Sequence, residues 1–254
     1  MIKWILHPNY YITTAMQILL PVFLFIGFGA EWYWWVVSFV FYFLYLCIGN
    51  NIGHHRFFCH RYFEMNKVTE WFVTWCATVS CLGSPLSYVI IHNIHHKHHD
   101  TDLDPHGIQR GWKSVLFYYH KHINPKDIVC TRNLSRLTKQ YHVLHNYYTL
   151  FLLLNVAVFA LFGWKVLLFA WAIPASLTLW ATSLVLLLQH DRSGPSNTRC
   201  YQWFAFGETF HKNHHDNASL IDHSLGDGID WTYQITRLLA KKQHEPNPHQ
   251  SQTS

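Results

Sequence analysis

The chain has 254 residues, enough for one sizeable domain. Half of it is hydrophobic and only 13% is charged, about half the charged share of soluble proteins, so the composition argues against a water-soluble globule and for a bilayer setting. The net charge of +5 is modest and the basic residues form no stripe, which argues against a nucleic-acid partner.

A helix needs about 20 apolar residues to cross a membrane. The first two qualifying stretches, 11–30 and 32–49, are separated only by Glu31 and read as a helical hairpin. Trp32, Trp34 and Trp35 suit an aromatic belt at its tip. No cleavable leader is expected, because the first apolar run is long and lacks a small-residue cleavage site.

The segment 51–146 opens with His55 and His60. Five residues apart, they lie about 140° apart around an ideal α-helix, so either the helix ends or distorts there or the two serve different ions. Residues 71–91 are nearly as apolar as a span, but Gly83, Ser84 and Pro85 break them in the middle. They read as a buried or interfacial segment, because a fifth crossing would put His92 on the opposite face from His55. His92, His95 and His96 follow at i, i+3 and i+4, which places them on one side of a helix.

Residues 147–163 and 166–189 form a second apolar hairpin with Trp164 and Lys165 at its tip. Pro21 in the first hairpin and Pro174 in the second are expected to kink their helices, which neighbouring helices tolerate in a bilayer. His190 ends the last stretch, and His211, His214 and His215 repeat the HxxHH spacing. The tail 241–254 is polar and reads as disordered beyond a single domain over 1–240.

Lysine and arginine set the orientation. Eleven lie in 51–146 and six in 190–254, whereas the two hairpin tips hold only Lys165. The positive-inside rule then puts the tips outside, with both termini and every histidine cluster cytoplasmic. The expected molecule is an all-α integral membrane protein of four transmembrane helices in two hairpins, under a cytosolic helical cap.

Imidazole is the commonest metal ligand among side chains. The six cysteines, at 47, 59, 76, 81, 130 and 200, include no CxxC pair and suggest neither a zinc knuckle nor a disulfide framework. Nine neutral nitrogens are too many for one ion and suit two. Imidazole accepts Zn, Cu, Fe and Ni alike, and the ligand number in a membrane setting favours two irons with positions open for O2. Asp100, Asp102, Asp104, Asp191, Glu208 and Asp216 flank the clusters as candidate partners of the ligands' second nitrogens. His54, His106, His120, His122, His142 and His145 read as non-ligands, and His98 and His99 as a solvated extension.

The ordered boxes, His55-Arg-Phe-Phe-Cys-His60-Arg61, His92-Asn-Ile-His-His96, Asp104-Pro-His106 and Gly207-Glu-Thr-Phe-His211-Lys-Asn-His-His215, resemble those of the membrane fatty acyl desaturases, especially the Δ9 (stearoyl-CoA desaturase-like) branch. The resemblance implies a mushroom-like fold and a di-iron centre ligated by His55, His60, His92, His95, His96, His190, His211, His214 and His215. It implies O2-dependent insertion of a cis double bond into a saturated acyl chain linked to CoA, carrier protein or lipid. It also implies an inner-membrane or endoplasmic-reticulum protein, surrounded by membrane lipid and served by a separate electron donor of ferredoxin, rubredoxin or cytochrome b5 type. Two positions depart from the family pattern. Leu186 stands where the family often has an Asn that reaches one iron through water, leaving that contact absent or supplied by a residue such as Gln189. Ile90-Ile91 replaces the Arg-Asp pair of the acyl-CoA enzymes, whose Arg contacts the CoA headgroup.

Two rival readings use the same histidines. A di-iron hydroxylase of lipids, sterols or carotenoids shares the boxes and the first hydrogen abstraction. A metal transporter or sensor needs ionisable residues within its spans, and the four stretches hold no Asp, Glu, Lys, Arg or His.

Overall fold

The computed structural model describes residues 2–106, 111–113, 137–191 and 193–243, with side chains from residue 11 onward except those of Asp191 and Gln243. The long helices are α1 (Ile2–Gly27), α2 (Trp32–His60), α6 (Tyr148–Leu161) and α7 (Trp164–Gln189). Gly29, at φ +87°, turns the chain from α1 into α2, and Gly163, at φ +106°, turns it from α6 into α7; glycine takes this left-handed region without steric cost. Lys165 Nζ meets Glu31 Oε2 at 2.8 Å, so the two hairpin tips lie at the same end of the bundle. Phe25, Phe28, Trp32 and Leu161 are exposed around that end, as expected of side chains facing lipid.

By length and composition α2 and α7 are candidate membrane spans. Helix α5 (Lys139–Asn146) and α6 qualify only together, with a 72° bend between them, and the apolar part of α1, Tyr11–Gly27, is shorter. Among the described residues, length and composition thus show two or three candidate spans of the four expected. Helix α2 also runs past the expected end at 49 to His60, and Leu44–His60 is π-helical. Pro174 follows a second π-helical stretch, Leu168–Ala172, in α7; the wider turn accommodates the missing N–H at a proline.

Residues 71–91 fall on two helices, α3 (Lys67–Val79) and α4 (Pro85–His98). Asn66 caps α3 by accepting from the Thr69 N–H, and Ser84 caps α4 by accepting from that of Ser87, with Pro85 in the first turn. Cys81 and Gly83, both at positive φ, reverse the chain between them. Helix α3 lies against α2 at Gly49 and Gly53. A Cβ on Gly49 would stand 2.6 Å from the Ala77 N and Cys76 C atoms, so only glycine permits this approach.

Tyr45, Phe169, Ile173 and Leu179 centre the core of the apolar bundle, and Phe58, Val89, Ile90 and Tyr141 form the core under α4. The cap adds α8 (Gln202–Ala205), α9 (His211–Asp216) and α10 (Trp231–Leu239). His190–Asp191 (β2) pairs antiparallel with Gly194–Pro195 (β3). Phe63–Glu64 (β1) pairs with Lys242–Gln243 (β4), so the segment read as a tail begins in a strand; residues 244–254 lie outside the described residues, as do His120 and His122.

Candidate metal centre

Four segments bring the nine predicted histidines together. His55, His60, His92, His96 and His214 form one group and His95, His190, His211 and His215 a second, each with one ligand atom per residue within 4.8 Å of all the others. The two HxxHH boxes cross over reciprocally. His92 and His96 join the first group while His95 points to the second; His211 and His215 join the second while His214 points to the first. Helical geometry accounts for this. Residues i and i+4 point about 40° apart, whereas i+3 lies about 100° from i+4. His55 and His60 share a group because π-helical hydrogen bonds run from i to i+5, so residues five apart stack about one turn above each other.

In the first group the Nε2 atoms run in a chain, His60 to His92 at 2.9 Å, His92 to His96 at 3.0 Å, His96 to His214 at 2.9 Å and His214 to His55 at 3.0 Å. In the second, His211 Nε2 lies 2.7 Å from His190 Nε2 and 3.1 Å from His215 Nε2. Nitrogens bound ~2.1 Å from one ion at right angles stand ~3.0 Å apart. The donor spacing therefore fits a first-row metal.

Carboxylates set the tautomers. Glu208 faces His55 Nδ1 at 2.9 Å, Asp104 faces His95 Nδ1 at 3.0 Å, and Asp100 faces His190 Nδ1 at 2.9 Å. Each of these Nδ1 atoms donates its hydrogen, which leaves the Nε2 lone pair aimed into the cluster. His95 Nε2 is buried there without a hydrogen-bond partner. Of the other flanking acids, Asp102 is exposed and Asp216 pairs with Lys212.

Burial, followed by the charges of neighbouring imidazoles, keeps His92, His96, His211, His214 and His215 well below the usual histidine range. His190 is lowered to about 4, by burial and His95 against the pull of Asp100. These rings are neutral at pH 7, the form that binds metal. Burial alone would raise Glu208 and Asp104. His55 and Arg56 outweigh it and hold Glu208 at about 2, and His95 keeps Asp104 well below the carboxylate range.

A cavity opens beside both groups, and its lining includes His55, His92, His211 and Glu208 together with Leu46, Leu82, Ile91, Ala181, Val185 and Leu186. Leu186 presents an aliphatic side chain there. Gln189 donates from Nε2 to the Thr209 carbonyl at 2.9 Å. Ile90 is buried in the core under α4.

Among the histidines read as non-ligands, His54 is buried and stacked on Tyr88 at 4.5 Å, with neither ring nitrogen hydrogen-bonded. His145 bonds Ser84 Oγ at 2.6 Å, and the His106 ring lies 5.5 Å from that of His95. His99, read as solvated, lies 5.0 Å from the His215 ring.

Four residues around the first group were missed by the sequence reading. Tyr62 Oη lies 3.4 Å from His214 Nδ1, the His223 ring 4.6 Å from that of His214, and Arg56 joins Glu208 to Asp230. The place of Arg56 beside His55, and that of Asp230 before the apolar run of α10, were available signals. His223 has no such pattern.

A sequence model of the fatty acid desaturase family matches residues 32–227. The chain is 29% identical over 215 residues to the sn-1 stearoyl-lipid 9-desaturase of Anabaena variabilis, covering 76% of this chain and 75% of the relative. It is 25% identical over 218 residues to Delta-9 acyl-lipid desaturase 1 of Arabidopsis thaliana, covering 76% and 68%. It is 30% identical over 240 residues to the acyl-CoA C20 Delta5-desaturase of Anemone leveillei, covering 82% and 72%.

Proposed function

Since this chain belongs to the fatty acid desaturase family, on its Δ9 branch, we propose that it inserts a cis double bond at Δ9 of a saturated, lipid-linked acyl chain. Desaturation takes precedence over the hydroxylase reading, because the family and these relatives are named for it. The observation that carries the proposal is the convergence of nine imidazoles into groups of five and four beside one cavity lined in part by aliphatic side chains. The lipid carrier rests on the names of the Anabaena and Arabidopsis relatives and on Ile90-Ile91, where an acyl-CoA enzyme's Arg-Asp pair would be expected.

His55, His60, His92, His96 and His214 would hold one iron and His95, His190, His211 and His215 the other. Iron bound there supplies O2 activation for removing two hydrogens from adjacent methylenes, with electrons from a separate donor protein. The chain's own work is positioning. Leu46, Leu82, Ile91, Val185 and Leu186 exclude water and hold an unreactive chain beside His55, His92 and His211; fixing the reacting atoms in this way is worth on the order of 7–11 kcal/mol in favourable cases. Asp100, Asp104 and Glu208 keep their histidines in the metal-binding tautomer. We place the protein in a membrane with both hairpins spanning, residues 1–240 acting as one domain, and both termini on the cytoplasmic side.

Expression in a host lacking unsaturated fatty acids, followed by gas chromatography of its lipids, tests the reaction. A new cis olefin in lipid-linked chains is expected. Hydroxylated chains without olefin would overturn it, and turnover of acyl-CoA alone would overturn the carrier. Metal analysis should find two irons per chain, and one zinc without iron would remove the basis of the chemistry. His95→Ala and His214→Ala should each abolish product.

A further inference from the structure

Arg56, in the turn that carries His55, has a fully buried side chain set between two carboxylates. It donates from Nε and Nη2 to Glu208 Oε1 at 3.2 and 2.9 Å, from Nη2 to both Asp230 oxygens at 3.0 and 2.8 Å, and from Nη1 to the Ile221 carbonyl at 2.9 Å. One Glu208 oxygen is thereby occupied by the guanidinium, and the other is left for His55 Nδ1 at 2.9 Å. Asp230 is itself anchored from elsewhere. Its Oδ1 accepts from the Tyr233 N–H at 2.8 Å, capping α10, and its Oδ2 accepts from the His223 N–H at 3.0 Å.

We propose that Asp230 is a positioning residue for the five-histidine group, acting through Arg56 and Glu208 on His55. The proposal rests on the ligand reading above. Without Asp230, Arg56 keeps a single buried countercharge, and a guanidinium with one carboxylate favours the two-pronged grip on both oxygens. That grip takes Glu208 Oε2 away from His55. The His55 ring then loses the acceptor that fixes its tautomer and direction, and such outer partners influence metal affinity strongly. The second group lacks this chain of contacts, since His95 and His190 are held by Asp104 and Asp100, so the effect falls on one iron.

Asp230→Ser tests this, because Ser caps a helix about as well as Asp but cannot grip Arg56 with two oxygens. Asp230→Asn, of the same size, is the second variant. The full-length protein, purified in detergent after growth on 57Fe, is assayed for iron per chain and by Mössbauer spectroscopy. Both variants are expected to lose the signal of one iron, falling from two per chain toward one, while the other signal is unchanged. Two unaltered signals in both variants would overturn the positioning role, and so would equal loss of both irons in both variants, which marks a purely structural residue. A wild-type protein that binds no iron would overturn the ligand reading itself, a separate and distinguishable result.

Discussion

His55 and His60 are five residues apart in one helix, yet their ring centroids are 4.8 Å apart and the rings meet edge to face. The π-helical winding of Leu44–His60 is responsible, and it ends at Arg61 in the left-handed conformation, φ 54°. His54, the immediate neighbour, points instead at Tyr88. His60→Ala should therefore remove iron from one group and abolish product. His54→Phe should keep two irons, because it replaces a ring whose buried nitrogens have no partner, a state that costs ~1–3 kcal/mol. Iron content of the two purified variants checks the pair, and loss of iron in His54→Phe would contradict it.

Asp104 lies 3.0 Å from His95 Nδ1 and also accepts from the His106 N–H at 2.8 Å. Asp104→Asn keeps the shape but removes the charge that fixes the His95 tautomer. Iron at the four-histidine group should bind ~10–100-fold more weakly, measured by competition with a chelator. Unchanged affinity would mean that His95 needs no anionic partner.

Acid should destabilise the metal-free protein. His92, His96, His190, His211, His214 and His215 are held below the usual range, chiefly by burial, whereas in the unfolded chain they protonate near pH ~6.5. Below that pH the unfolded state binds more protons, so stability falls as pH falls, by up to ~1.4 kcal/mol per pH unit for each group. The His190 contribution levels off below about pH 4. Thermal unfolding of chelator-treated protein should give a lower midpoint at pH 5.5 than at pH 7.5.

Gly49→Ala should disrupt the contact between α2 and α3. The added methyl meets backbone atoms of Cys76 and Ala77 rather than a movable side chain, and overpacking of this kind costs ~1–3 kcal/mol or more. A lower melting temperature with reduced iron content is expected, since α2 carries His55 and His60.

Leu186→Trp should narrow the cavity and replaces no predicted ligand. Product formation should fall while iron stays at two per chain. Full turnover would show that the acyl chain lies elsewhere.

The reach of the sequence can be judged from particular residues. The HxxHH spacing of His92 to His96 and of His211 to His215 is local, because one helical turn is enough to cluster those rings. The hairpin tips at Glu31 and at Trp164-Lys165 and the break at Gly83-Ser84-Pro85 were legible for the same reason. The spacing of His55 and His60 allowed a distorted helix as one alternative, and π-helical Leu44–His60 is that alternative, but hydropathy did not show that α2 continues past residue 49. The contacts of Arg56 with Asp230 and His223 were also hidden, since these residues meet only when segments about 170 residues apart in sequence pack together.

By itself the sequence determined which side chains can bind metal, that they repeat at helical spacing, and that they belong beside apolar helices, because these properties depend on residue type and local periodicity. Only the tertiary structure decided how nine imidazoles divide into five and four, and which carboxylate aims each ring. Both depend on where α2, α4, α9 and the end of α7 come to rest against one another, and that is set by packing across the whole domain.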